Sequence, residues 1–586
     1  MIRNILNTRF VVLHNVLPRL AALLCTVFGL SNHSAALPGQ LDPTFGTDGV
    51  TVVRRSLERD WASSSLLQAD GSLVIAGHCE PLGGSALCLT RLTKSGDLDL
   101  GFGAAGIVTT PIGTHAVSGR GLVEVANGRL LFSGTCQGFL SALDTFPDVC
   151  VVRYLANGAL DSAFGNDGIA GVRIAGVWNS AVALSVQSDH KILVVGNCNG
   201  DTYPSQPRFC IIRLTQNGAL DSSYGDGGRL QIFESITPAA LLLDTNDRAI
   251  VAGVCPRDTD PMGGPIERIC VARVKPDATL DQTFGVAGVT VLRASSYPRV
   301  ASLELTPIGQ VLVVNSCNTL GGPRFCIDGL TPNGAVDTSF GINGHVQIPA
   351  QAIAANIGYF YEVPSGSASI LPDAMYVTGS CYLRTTGNWS NFCVKRLHGF
   401  AERDMAFGQD GSVALPIGSG SAASAVHVQS NGKVLISGNC AIPTYGDQDF
   451  CVARLKGGPY NPLTCALNLD ANPTIDPATD ALLITRYLLG YRGDALTTGA
   501  VGASPTRTNA EIETYLGTLM QAGKLDVDGD GQSLAMTDGL LLIRAMLGLA
   551  GTALTDGATN AAHPNVRNAQ QILTWIESTH GVACLP

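Results

Sequence analysis

A nine-residue motif, [LV]-D-x-x-[FY]-G-x-x-G, returns about every 60 residues along most of the chain. It starts at Leu41, Leu98, Leu160, Leu220, Leu280 and Val336, with a degenerate copy at Arg403. Its aspartates, Asp42, Asp99, Asp161, Asp221, Asp281, Asp337 and Asp404, are separated by 57, 62, 60, 60, 56 and 67 residues. A fixed period of this length implies one supersecondary unit per repeat. After the motif comes a short apolar strand, then an alternating stretch. A turn such as Asp70-Gly71, Asn127-Gly128 or Asn431-Gly432 follows. These residues tolerate the positive φ of two-residue hairpins. An apolar strand (SLVIAG at 72–77, KILVVG at 191–196) and a last strand (LCLTRL, FCIIRL, FCVARL) complete the unit. Four strands without helical periodicity, repeated radially, make a β-propeller. Solenoid repeats are shorter, about 20–30 residues.

The first motif has no strand before it, and the last repeat, ending at Gly458, has no motif after it. The expected fold class is therefore an all-β seven-bladed β-propeller over 37–458, followed by a small α-helical calcium-loop domain over 459–586. The N-terminal segment should complete the last blade, since closure removes exposed sheet edges. The motif, the D-G-x-[LIV]-[LIV]-[VI]-[AS]-G strand and the [FIL]-C-x-x-R-[LY] strand resemble the delta-60 repeat of bacterial secreted and surface β-propellers, over roughly 41–458. That resemblance implies architecture and no catalytic residues.

Composition narrows the function classes. Hydrophobic residues are 45% and charged residues 14% of the chain, which excludes a disordered polymer. The net charge of −10 argues against nucleic-acid binding, which needs a basic surface. Residues 1–36 read as an export signal: Arg3, Arg9 and Arg19, an apolar run from Leu20 to Leu30, then Ser34, Ala35 and Ala36. Eleven apolar residues are too few for a membrane span. Removal of the segment takes away three arginines and no acid, so the charge moves from −10 to −13. The expected location is secreted or cell-surface, with the periplasm also open.

Fourteen of the seventeen cysteines form one pair per repeat. The pairs are Cys79 with Cys88, Cys136 with Cys150, Cys198 with Cys210, Cys255 with Cys270, Cys317 with Cys326, Cys381 with Cys393, and Cys440 with Cys451. Residues facing across antiparallel strands lie about 4.5–5.5 Å apart, within the range a disulfide accepts. Each pair is thus expected to face across its hairpin and staple the loop base. Zinc would need four ligands, and each loop offers two cysteines without a regular histidine. Cys25 leaves with the signal, and Cys465 and Cys584 bracket the C-terminal region as an eighth pair. An even set of bridges fits an oxidising compartment.

Arg91, Arg153, Arg213, Arg273, Arg396 and Arg454 each follow the second cysteine of a pair by three residues, while the fifth repeat has Gly329. An aspartate follows eight residues later in five repeats. Seven ligand-binding carboxylates is one reading. A repeated Arg–Asp pair ordering each blade is the other, and it is favoured because a per-blade feature serves the blade. Ring closure then requires Asp42 to partner Arg454.

Beyond a Pro/Asn linker at 459–462 two similar helical stretches appear, offset by 58 residues from Asp480 to Asp538. Asp526-x-Asp528-x-Asp530-Gly531 has the alternating oxygen ligands and turn glycine of an EF-hand-type calcium loop, with Gln532 and Asp538 completing a Ca2+ shell. Asp538 stands at loop position 13. A first loop, read as two residues shorter, offers Asp470, Asn472, Asp476 and Asp480. An N-capped helix with an acidic turn is the plainer reading of either loop. The duplication resembles dockerin-type modules over roughly 466–582. Its spacing and loops depart from that pattern, so it implies a calcium-stabilised terminal module more than partner docking.

No GxSxG, HExxH or P-loop motif and no dinucleotide fingerprint is found, and the eight histidines after residue 36 do not recur by repeat. The leading expectation is a secreted non-catalytic binding or scaffold protein. It would take a protein or glycan partner through variable cysteine-stapled loops that carry Tyr203, Trp389 and Tyr445. The alternative is an extracellular polysaccharide-active hydrolase or lyase with its site on the propeller axis.

Overall fold

The computed structural model describes residues 38–580 and Cys584, apart from short internal segments that include 55–58, 200–207, 384–389 and 458–464. Residues 1–36, read above as an export signal and containing Cys25, and Tyr203, Trp389 and Tyr445 lie outside the described residues. Seven antiparallel sheets form seven blades. Blade one runs outward from β2 (Asp60–Leu67) through β3 (Leu73–Cys79) and β4 (Ala86–Leu92) to β5 (Ile107–Pro111). Blade seven takes three strands from the last repeat and its outer strand, β1 (Val50–Val53), from the N-terminus. There Val50 pairs with Ala453 and Val53 with Phe450.

The core lies between neighbouring sheets. Leu131 and Val151 of blade two, for example, bury against Ala181, Val194 and Ile212 of blade three. Every innermost strand carries a register shift at the same place, as at Ala62/Ser64, Ala181/Ala183 and Ala423/Ala425. The shift explains the glycine ending the third-strand motif. A Cβ on Gly77 would lie 1.8 Å from the Trp61 carbonyl oxygen, and one on Gly438 2.1 Å from that of Ala422. A bulge brings the inner backbone this close, which favours glycine at this position in six blades, while blade five carries Asn315 there.

Each cysteine pair is disulfide-bonded, including Cys465–Cys584. The blade cysteines do not face one another directly, which corrects the expectation of simple cross-strand pairs. Cys79 pairs in register with Ala86 and Cys88 with Gly77, so the bridge runs diagonally, with Cα atoms 6.0 Å apart. In blade two Cys136 stands opposite Asp148, and Cys150 opposite Gly134. In blade three Cys198 stands opposite Arg208, and Cys210 opposite Gly196. In blade seven Cys440 stands opposite Asp449, and Cys451 opposite Gly438. Cys270, Cys326 and Cys393 repeat the offset, opposite Gly253, Asn315 and Gly379. The second cysteine therefore sits two residues deeper in the sheet than the site its partner faces. Cys88, Cys150, Cys210, Cys270, Cys326, Cys393 and Cys451 are all fully buried, so they belong to the blade core rather than to the loop surface. Blade five makes the same diagonal bridge with Asn315 in place of the glycine, so the diagonal follows from the pairing offset of the two strands rather than from the residue opposite.

At the opposite end of the blades the recurrent arginines form a strap. Arg213 Nε donates to Asp221 at 2.8 Å, its guanidinium lies 4.3 Å from the Tyr224 ring, and Nη1 donates to the Pro276 carbonyl of the next blade at 2.7 Å. Arg91, Arg153 and Arg273 repeat all three contacts, reaching Ala156, Gln216 and Pro332. Arg396 does so with Asp404, Phe407 and Gly457. Arg454 closes the ring: Nε donates to Asp42 at 2.7 Å and Nη1 to the Lys94 carbonyl of blade one at 2.5 Å. Burial opposes ionisation of Asp42, but Lys433, Thr44 and Arg454 outweigh it and hold its pKa at about 2. Six of the seven motif aspartates are thus engaged by the strap.

Blade five has no strap. The space above Gly329 is taken by the Phe340 ring, which a Cβ there would meet at 2.7 Å, and Gln310 Nε2 donates to Asp337 Oδ2 in the place of the arginine. The seam to blade six is fastened differently. The buried Lys395 pairs with buried Glu362 at 2.9 Å and donates to the Pro349 carbonyl, lying 5.4 Å from the Phe325 ring of blade five.

Breaking a buried pair by removing one partner costs about 3–5 kcal/mol. Arg213→Met should therefore lower the unfolding free energy of the propeller by an amount of that order. Lys275→Met, whose partner Asp277 is exposed at the surface, should change it by less than about 1 kcal/mol in urea titration.

A second outcome concerns pH. At the seam of blades seven and one, Ser437 Oγ donates to Ser65 Oγ, which lies 2.7 Å from His427 Nε2. Burial lowers the His427 pKa from 6.5 to about 4, offset in part by Ser65. The folded value lies below the unfolded one, so this stability is complete above pH 6.5 and drains away as pH falls towards 4. Unfolding midpoints compared across that window should show a loss that His427→Gln reduces.

Candidate metal centre

The C-terminal residues fold as two copies of one loop-helix unit. A π-helical turn at Pro477–Ala481 leads into α1 (Leu482–Leu488), and one at Ala535–Gly539 leads into a matching helix, Leu540–Met546. Each half closes with a longer helix, Asn509–Gln521 and Ala569–His580. Thr508 and Glu511 form a capping box on the first of these. The halves share a core of Leu467, Leu469, Ile484, Leu525, Val527 and Leu542, with Cys465–Cys584 beside it.

Hydrogen bonds align the two loops residue by residue. Asp480 Oδ1 accepts from Leu469 N at 2.7 Å, and Asp538 Oδ1 from Val527 N at 2.6 Å. Gly502 N donates to Asp470, as Asn560 N does to Asp528. Arg507 donates to the carbonyls of Asn468 and Leu469, as Arg567 does to those of Asp526 and Val527. Asp470 therefore corresponds to Asp528, and Asn468 to Asp526. The first loop is not two residues shorter: it has the same length, begins at Asn468 and places Asn472 opposite Asp530. The resemblance of Leu469-Asp470 to Leu525-Asp526, which suggests a shorter loop, is out of register by two residues. The extra residue before Asp538, and before Asp480, is taken up by the π-helical turn, which adds one residue per turn.

In the second loop, carboxylate oxygens of Asp526, Asp528 and Asp538 lie within 4.8 Å of one another. Asp530 stands outside that cluster, accepting from Gln532 N at 2.8 Å and Asn560 Nδ2 at 3.0 Å, and the Gln532 side chain is exposed. Gly531 has the positive φ, 84°, that the loop needs. Asp526 accepts from Gly529 N and Gly531 N, and Asp528 from Asp530 N and Asn560 N. Each of these oxygens accepts one bond and retains a lone pair. Asp538 is more heavily used. It accepts from Val527 N, Asp528 N, Leu534 N and Thr537 Oγ1, and so ties the start of the loop to its end. Burial pushes its pKa up against those bonds. Burial likewise raises Asp480, to about 6, opposed by amides of Asp476 and Leu469. Three converging carboxylates, two of them buried, are a donor set suited to a hard divalent cation. In the first loop Asp470, Asn472 and Asp480 are buried beside one another, whereas Asp476 caps the helix, accepting from Ala478 N at 2.8 Å. Asn560 and Arg567 had no motif to announce them: their counterparts are Gly502, 58 residues earlier and of another type, and Arg507, 60 residues earlier, so the 58-residue offset does not point to either. Two other clusters could in principle hold a metal: Cys317, Cys326 and His345, and Glu362, Cys381 and Cys393. Their cysteines are in disulfides.

Residues 68–102 and 187–224 match a family model described as a domain of unknown function (DUF5122) beta-propeller. No curated protein matches the chain. Among solved structures it is similar to Drosophila Semaphorin 2a, at 9% identity over 74% of this chain and 78% of that one, with a TM-score of 0.40. It is also similar to the polysaccharide lyase Uly1, at 9% identity over 68% of this chain and 90% of that one (TM-score 0.39). A third likeness is to the alpha-L-arabinofuranosidase ARB93A from Fusarium graminearum, at 12% identity over 62% of this chain and 97% of that one (TM-score 0.34).

A hydrogen bond to a charged group contributes about 1.5–3 kcal/mol. Asp538→Ala removes the acceptor of several such bonds. It should unfold the helical unit at lower temperature even in EDTA, read as loss of helical circular dichroism, while Asp556→Ala on a surface turn should not.

Proposed function

We propose that the chain is a secreted, non-catalytic binding or scaffold protein. The propeller is its recognition platform, and Ca2+ stabilises the C-terminal unit. One observation supports this most. Each hairpin loop at one end of the ring is clamped at its base by a disulfide. The clamped pairs span unequal separations, from 9 residues in Cys79–Cys88 to 15 in Cys255–Cys270. Loops of different length held on identical rigid bases offer a varied surface at low entropic cost of ordering. No helix among the described residues is long and apolar enough to cross a membrane. The eight bridges accord with an oxidising, extracytoplasmic location.

The calcium reading places Asp526, Asp528 and Asp538 as ligands, with Asp530 and Gln532 able to join on rotation of their side chains. In the first half it places Asn468, Asp470, Asn472 and Asp480. A hard cation would offset the cost of burying these carboxylates. The delta-60 and dockerin-like resemblances belong to the same reading. A glycan and surface-protein binding screen of residues 37–586, run in calcium and in EGTA, tests both parts. The expected results are a partner retained by the disulfide face and a helical-unit melting temperature raised by calcium, the rise being abolished by Asp528→Asn. Turnover of a bound glycan, or melting indifferent to calcium, would contradict the corresponding part.

A further inference from the structure

A cavity of about 880 Å³ opens at the strap end of the ring, away from the disulfide loops. Its walls come from three places. The N-terminal segment gives Asp42 and Thr44, blades seven and one give Lys433, Lys456, Gln429 and Lys94, and the helical unit gives Leu549, Leu573 and Thr574. We propose that this cavity binds a short acidic saccharide.

Its size lies within the range of about 300–1,000 Å³ typical of small-molecule sites, which favour the boundary between two structural units. Its charge is unbalanced. Lys433 is held by Asp42 at 3.1 Å, and Asp70 on the rim has its carboxylate occupied by the amide and hydroxyl of Ser72. The lining carries four cationic residues, Lys94, Lys433, Arg454 and Lys456, against two carboxylates, Asp42 and Asp70, and Lys94 and Lys456 have no ion-pair partner among the described residues. Burial pushes the Lys456 pKa down, only partly countered by Asp42, and a bound anion would relieve that cost. The polar groups suit hydroxyls. Gln429 Oε1 is enclosed and without a hydrogen-bond partner among the described residues, so it is an acceptor awaiting a donor. Ser95 and Asn431 add further polar positions. Across from them Leu549 and Leu573 give an apolar strip for the C–H face of a pyranose ring. A bare anion would use the lysines and leave the amide and the leucines unmatched. A neutral sugar would leave the lysines unmatched. The site forms only when the N-terminal segment has closed the ring, because Asp42 both anchors Arg454 and neutralises Lys433.

The proposal is independent of what the disulfide loops bind. Calorimetric titration of residues 37–586 with trigalacturonate, maltotriose and citrate tests it. Trigalacturonate should bind at least tenfold more tightly than either maltotriose or citrate. Lys94→Met/Lys456→Met should weaken it at least tenfold, and Thr574→Trp, which fills the cavity from an exposed helix position, should block it. Both variants should melt as the parent does. Binding of maltotriose or citrate as tight as trigalacturonate, no binding of trigalacturonate, or full affinity in Thr574→Trp would overturn the proposal.

Discussion

The arginine strap is the interaction on which the ring depends. One guanidinium satisfies an aspartate in its own blade, covers the motif aromatic beside that aspartate, and reaches a carbonyl of the next blade. Apolar packing between sheets is non-directional and would tolerate small rotations of one blade against the next. A planar donor fork fixed at three points does not. The same contact sets the geometry where the propeller closes, since Arg454 belongs to the last repeat and its aspartate, Asp42, to the first. Ring closure and blade order therefore share one chemistry.

The two ends of each blade divide the work. The strap and the hairpin turns hold one end, and the diagonal disulfides hold the other. Between them the inner strand bulges where glycine lets two backbones meet. A blade pinned at both ends leaves only the loop beyond the disulfide free to vary. The seam between blades five and six shows that the strap can be replaced. With glycine at 329 the aromatic ring settles into the vacated space, and the buried Lys395–Glu362 pair of blade six reaches back across. A buried ion pair is a weaker stabiliser than its geometry suggests, because both charges are desolvated.

Much of this was legible in the sequence, for a physical reason. A repeat shows its contacts seven times over, so Arg91-to-Asp99 spacing, the cysteine pairs and the split last blade could be read by comparing copies. What occurs once was not legible. Lys395 and Glu362 lie 33 residues apart with no pattern between them. The diagonal cysteine register, with Cys150, Cys210 and Cys451 opposite glycines rather than opposite their partners, follows from strand twist and pairing offset. Residue identity does not encode either. In the helical unit two copies were too few to fix the alignment. The similarity of Leu469-Asp470 to Leu525-Asp526 drew the first loop two residues out of register, and only the hydrogen bonds of Asp480 and Asp538 restored it.

The central claim is that the N-terminal strand is a structural part of the last blade and that the ring stands or falls as a unit. Its most direct test is thermal unfolding of a chain that begins at residue 54 and so lacks Asp42 and β1. The account predicts a single propeller transition shifted well below that of the chain beginning at residue 37, with all blades lost together. A truncated chain whose propeller melts at the same temperature as the longer one would contradict it.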